Sequence, residues 1–126
     1  MPVLAILRHE EGVRLNPVPL VALYSELGQS GAERVIARAM EELATRLSEM
    51  LKHADEGRSD LLIRAARLLS KVADQVGMAT LARVAGDVVA TAETDDFTAQ
   101  AATLARLARI GERSLTAIWD LRDMTV

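Results

Sequence analysis

The chain contains no cysteine. Disulfide staples, thiol catalysis and cysteine-based zinc sites are thereby excluded, and the absence fits an intracellular protein. Aromatic residues are scarce: Tyr24, Phe97 and Trp119 make up 2% of the sequence, so the core has to be built from Leu, Val, Ile, Met and Ala. The three prolines all precede Leu20, and nothing later interrupts a helix by that route. The seven glycines stand singly, which leaves no glycine-rich phosphate loop. No apolar run approaches membrane-spanning length. The apolar start at residues 3–7 is short and comes before its charges, whereas a signal peptide places charge first. No basic tract or aromatic–basic interleaving occurs, and the net charge is −3, so a nucleic-acid groove binder is not expected. These absences describe a soluble cytoplasmic protein.

What is present is a chain of 126 residues, 50% hydrophobic and 26% charged, which is the size and composition of one globular domain over 1–126. Ala and Leu dominate, and both lose little side-chain freedom in a helix. Apolar spacing of three and four recurs along the chain, and no strand-like alternation follows residue 15. Asn16 and Pro17 start a short helix carrying Leu20, Leu23, Tyr24 and Leu27, with Gly28 as its stop. Ser30 and Glu33 match a capping box. They open a long helix with a stripe of Val35, Ile36, Ala39, Met40, Leu43, Leu47, Met50, Leu51 and Ala54, ended by Asp55, Glu56 and Gly57.

Ser59 or Asp60 caps the next helix, whose buried stripe is Leu61, Leu62, Ala65, Ala66, Leu69, Val72, Ala73 and Val76, with Gly77 as stop. A further helix carries Leu81, Val84, Ala85, Val88, Val89 and Ala92, with a small-residue edge at Ala79, Ala82, Gly86 and Ala90. Thr94, Asp95 and Asp96 form a turn and cap, and the last helix runs over residues 97–121. Loops of two to five residues make successive helices antiparallel neighbours. The expected fold is all-α, an up-and-down antiparallel four-helix bundle with a short extra N-terminal helix. Residues 1–15 read as a short helix or as an arm on the bundle. The last helix has a broad apolar face, so Leu107, Ile110 and Leu121 are expected either inside the bundle or in a homodimer contact.

Candidate chemistry is sparse. His9 with Glu10 and Glu11, and His53 with Asp55 and Glu56, contain metal-ligand residue types. Neither has a second histidine at helical spacing, so solvated helix ends are the better reading. Glu41 with Glu42, and Asp95 with Asp96, read as a solvated face and a cap. No nucleophile–base set is supported. The expectation is therefore a protein that is not an enzyme, with no catalytic residue, metal or cofactor. The polar stripe at Arg64, Arg67, Lys71 and Asp74 recurs at three and four and shares one helix face. It makes a compact cationic ridge on an acidic protein. An ordinary solvated face is one reading, and a docking surface for an acidic protein partner is the other.

Residues 61–81 resemble the signature of histidine-containing phosphotransfer (HPt) domains, four-helix bundles that pass phosphate between receiver domains. Leu69, Ala73, Val76, Gly77 and Leu81 match the family's packing positions. Arg67 falls where the family carries its phospho-accepting histidine. Ser70 stands at the family's lysine position, and Lys71 replaces the small residue beside the imidazole. The resemblance implies a helical bundle of signal transduction, of the two-component type. The departure implies lost transfer chemistry, because a guanidinium stays protonated and is no nucleophile. What the resemblance then implies is receiver binding, through Arg64, Arg67, Ser70, Lys71 and Asp74. The expected partner is a response-regulator receiver domain or another acidic protein, with no nucleic acid and no membrane. The alternative is a homodimeric helical adaptor.

Overall fold

The computed structural model describes residues 13–125, with side-chain environments through residue 118. The described residues form helices α1 (Pro17–Asp55), α2 (Ser59–Gln75), α3 (Ala79–Glu93) and α4 (Phe97–Thr125), and no strand. Each helix packs on the next in sequence and α4 returns to α1, while neither diagonal pair approaches closely. This is an all-α, up-and-down antiparallel four-helix bundle. No helix among the described residues is long and apolar enough to cross a membrane.

The start of α1 follows its local chemistry. Pro17 occupies the first turn, and the Asn16 side chain accepts a hydrogen bond from the Val18 N–H at 3.1 Å. Inside α1, Gly28 is non-helical at φ 72° and ψ 176°. A side chain disfavours that backbone and glycine does not. Residues 17–27 are thus the short extra helix, continuous with the long one through this break. The capping box expected at Ser30 is not what opens the long helix. The residue with non-helical dihedrals is Gly28, so Ser30 already lies inside the first turn. The Glu33 carboxylate accepts from Gln29 Nε2 at 3.4 Å instead.

The helix ends close on themselves. At the end of α1, Gly57 has φ 68°, its N–H reaches the Ala54 carbonyl at 3.1 Å, and the Arg58 N–H reaches that of His53 at 2.9 Å. The end of α2 repeats the pattern, with Gly77 N–H to the Asp74 carbonyl and Met78 N–H to that of Ala73. In both, a glycine in the left-handed region lets two terminal carbonyls find partners. The cap of α2 departs from expectation. The flanking residue is Arg58, which makes no side-chain cap, and Ser59 and Asp60 are both already helical. The exposed Asp60 carboxyl is held below its ordinary pKa by the Leu61 N–H and by nearby Arg58. At the α3–α4 turn, Asp96 caps α4 through Oδ1 to the Ala99 N–H at 3.0 Å.

Asp95, just before it, sits at φ 56° without being a glycine. Its side chain is exposed, so no packing contact requires a Cβ there. Asp95→Gly is expected to raise stability by about 0.5–1 kcal/mol in urea unfolding, because it relieves the left-handed penalty that Asp only partly escapes.

The chain before α1 is strapped onto the α2–α3 turn. Arg14 N–H donates to Thr80 Oγ1 at 2.6 Å, Thr80 N–H donates to the Arg14 carbonyl at 3.4 Å, and Asn16 N–H donates to the Gly77 carbonyl at 2.6 Å. Val13 is buried beside these bonds. The strap satisfies the orphan N–H of Thr80 at the start of α3, where Met78 provides no side-chain cap. Residues 13–15, the described part of the segment read as a helix or an arm, form no helix. Residues 1–12 lie outside the described residues.

The core is aliphatic, as the scarcity of aromatics requires. Its fully buried large side chains include Leu43, Met50, Leu62, Leu69, Leu81, Val84, Val88 and Leu107. Tyr24 is half-buried against it, together with Leu20 and Leu23. Two residues assigned to the α1 stripe lie at its edges instead: Val35 is 40% exposed and Leu51 is 46% exposed. Of the small-residue edge on α3, Ala82 is buried, while Ala79, Gly86 and Ala90 are exposed.

The breadth of the apolar face on α4 has a simple resolution. Leu107 and Ile110 are both buried within this one chain, and Gly111 lies against Leu47 of α1. Of the two alternatives, burial inside the bundle is the one that holds for Leu107 and Ile110. The side chain of Leu121 lies outside the described residues.

Candidate functional site

Helix α2 buries Leu62, Ala65, Ala66, Leu69 and Ala73, and this choice of inner face dictates the outer one. Arg64, Arg67, Lys71 and Asp74 all emerge on the exposed side. The ridge read from the spacing therefore exists as a surface. Ser70 does not belong to it. Its side chain turns toward α3 and donates from Oγ to the Ala82 carbonyl at 3.1 Å, a bond inside the α2–α3 hairpin.

Arg67 is exposed but not unpaired. Its Nη2 lies 3.0 Å from Glu93 Oε1 near the end of α3, with both side chains at least half exposed. A docking face would best leave this guanidinium without a partner inside the protein, and Arg67 has one. The pair is open to water, and such pairs contribute only about 0–1 kcal/mol. Arg64 and Lys71 have no ion-pair partner among the described residues, and the Lys71–Asp74 pairing open to their spacing does not form.

Leu68 escaped the sequence reading. It sits between Arg64 and Lys71 on the helix surface and is 40% exposed. An apolar side chain set among cations gives the ridge a dry element that a solvated face would lack. Glu93 was missed too, because it lies 26 residues from Arg67 and meets it only once the hairpin has formed.

The other candidates resolve into structure. No group of three or more metal-capable side chains converges among the described residues. His53 lies 3.9 Å from Glu56 at the end of α1, and His9 is outside the described residues. Glu42 and Glu49 flank Arg46, at 3.8 and 3.0 Å, along the surface of α1. Asp96 is a helix cap and Asp95 its preceding turn residue.

No protein-family model, curated protein or solved structure matches the chain.

Proposed function

We propose that the chain is a non-catalytic, HPt-like signalling module that binds an acidic protein partner, of receiver-domain type, through the outer face of α2. The observation that carries this reading is the exposure of Arg64, Arg67 and Lys71 around the half-exposed Leu68. Forked guanidinium donors suit clustered carboxylates, and an apolar neighbour adds burial that charge alone does not supply. Arginine at position 67 accepts no phosphoryl group, so the module holds a partner without relaying phosphate.

The Arg67–Glu93 pair sets the energetics of docking. Glu93 is an internal competitor for the guanidinium, and a partner's carboxylate has to displace it. Because the internal pair contributes about 0–1 kcal/mol in water, the exchange has a low cost.

Calorimetric titration against receiver domains from the same organism tests the reading. Wild-type protein is expected to bind at least one of them saturably. Arg67→Glu is expected to weaken that binding by about 2 kcal/mol, the order found for opposed charges at interfaces. Glu93→Gln is expected to tighten it by up to about 1 kcal/mol, the value of the displaced pair. Absence of binding to every receiver, or binding indifferent to Arg67→Glu, defeats the proposal.

A further inference from the structure

A second surface lies beside the ridge. Between α1 and α2 runs an open groove of about 750 Å³. Its apolar lining includes Leu27, Val35 and Val72. Leu27 is 48% exposed, so the groove has apolar surface that no described residue covers. Gly31 lines the same wall, where a Cβ would come within 2.9 Å of Leu27 Cβ. The break at Gly28 sets where Leu27 enters.

Charge is distributed unevenly around this lining. Arg34 and Arg38 stand one turn apart on α1, exposed, with no ion-pair partner among the described residues. Lys71 adjoins Val72 on the opposite wall. The two acids in the lining, Glu41 and Glu42, lie further along α1, and Glu42 shares Arg46 (3.8 Å) with Glu49 (3.0 Å), so the positive end of the groove is the one at Arg34 and Arg38. At that end the groove favours an occupant with a negative flank.

The backbone decides the occupant's shape. Away from the break at Gly28, both walls are helices whose amide and carbonyl groups are bonded within themselves, so they offer no continuous edge to an extended strand. A strand would leave its own backbone groups without protein partners, whereas a helix arrives with its backbone satisfied. The openness of the groove also argues against a small molecule, which needs a site that encloses most of its surface.

We propose that the α1–α2 groove docks an amphipathic helix of a partner protein, with its apolar stripe on Leu27, Val35 and Val72 and its acidic flank against Arg34 and Arg38. This goes beyond the ridge reading and does not depend on the partner being a receiver domain.

The test uses the full-length protein and a labelled synthetic helical peptide of about 18 residues, leucine along one face and glutamate on both flanks, read by fluorescence anisotropy. A second peptide carries lysine in place of every glutamate. The acidic peptide is expected to bind saturably, and the basic one about tenfold more weakly. Val35→Asp and Arg38→Glu are each expected to weaken the acidic peptide about tenfold, while Arg67→Glu changes it less than about twofold. Both substituted positions are exposed, so folding survives, and unchanged helical circular dichroism confirms it. No saturable binding, equal binding of the two peptides, or indifference to Val35→Asp and Arg38→Glu overturns the proposal. Sedimentation velocity supplies a further overturning result: a wild-type dimer that Val35→Asp dissociates would mean that a second copy fills the groove. Peptide binding lost with Val35→Asp, alongside failed receiver titrations, would retain the groove and remove the ridge reading.

Discussion

Gly77→Ala is expected to lower stability by about 2–4 kcal/mol, the largest loss among the described glycines. Two separate causes add. Gly77 sits at φ 77°, a region that costs a residue with a side chain about 1–2 kcal/mol. A Cβ at that position would also overlap the Asn16 carbonyl oxygen, a backbone atom that cannot swing aside. Relief requires the strap to move, which breaks the Asn16–Gly77 hydrogen bond and threatens the two bonds between Arg14 and Thr80. Two other glycines separate these causes. Gly57 shares the positive φ at 68° but has nothing within 4 Å of its Cβ position, so Gly57→Ala is expected to lose only the conformational part. Gly86 has neither constraint, and Gly86→Ala is expected to stabilise by about 0.5–1 kcal/mol through helix propensity. Urea unfolding of the three variants checks the order. Equal losses at Gly57 and Gly77 would show that the strap is not tight against the turn.

Leu69→Ala is expected to lower stability by about 3–5 kcal/mol, near the top of the range for buried leucine truncation. Leu69 is 0% exposed, and its surroundings are drawn from helices that cannot all close in on the space left behind. Leu68, one residue earlier, is turned by roughly 100° about the helix axis and is 40% exposed. Leu68→Ala is expected to change stability by less than about 1 kcal/mol, because most of its apolar area is not buried in the free protein. The same substitution is expected to weaken partner docking if the ridge is the contact surface. Chemical unfolding and partner titration on this adjacent pair therefore distinguish what holds the bundle together from what faces outward.

Sequence periodicity made the helices legible because the signals that end them are local. Asn16 with Pro17, Gly57, Gly77 and Asp96 each act on a neighbour within three residues, so spacing alone locates them. Ser30 misled for the same reason: its pattern matched a cap, yet Gly28 two residues earlier had already taken the chain out of the helical region. Edges were less legible. A broad stripe shows that Val35 and Leu51 are apolar, but whether each falls between two helices depends on neighbours the pattern does not name.

Long-range partners were not legible at all. Ser70 looked like part of the ridge until α3 brought the Ala82 carbonyl beside it, and Arg67 looked free until the hairpin brought Glu93. The apolar width of α4 was seen correctly, but only packing decides whether such width is covered inside one chain or by another. For Leu107 and Ile110 it is covered inside.

The strap at residues 13–16 bears on the order in which the molecule assembles. Nearly all of the bundle is built from successive helix pairs, whose contacts close short loops and form quickly. The bond from Arg14 to Thr80 joins residues 66 apart in sequence. It has no target until α2 and α3 have met and the turn at Gly77 exists. The strap is therefore expected to form late in folding. It acts as a latch on the native state, slowing escape from it without hastening arrival.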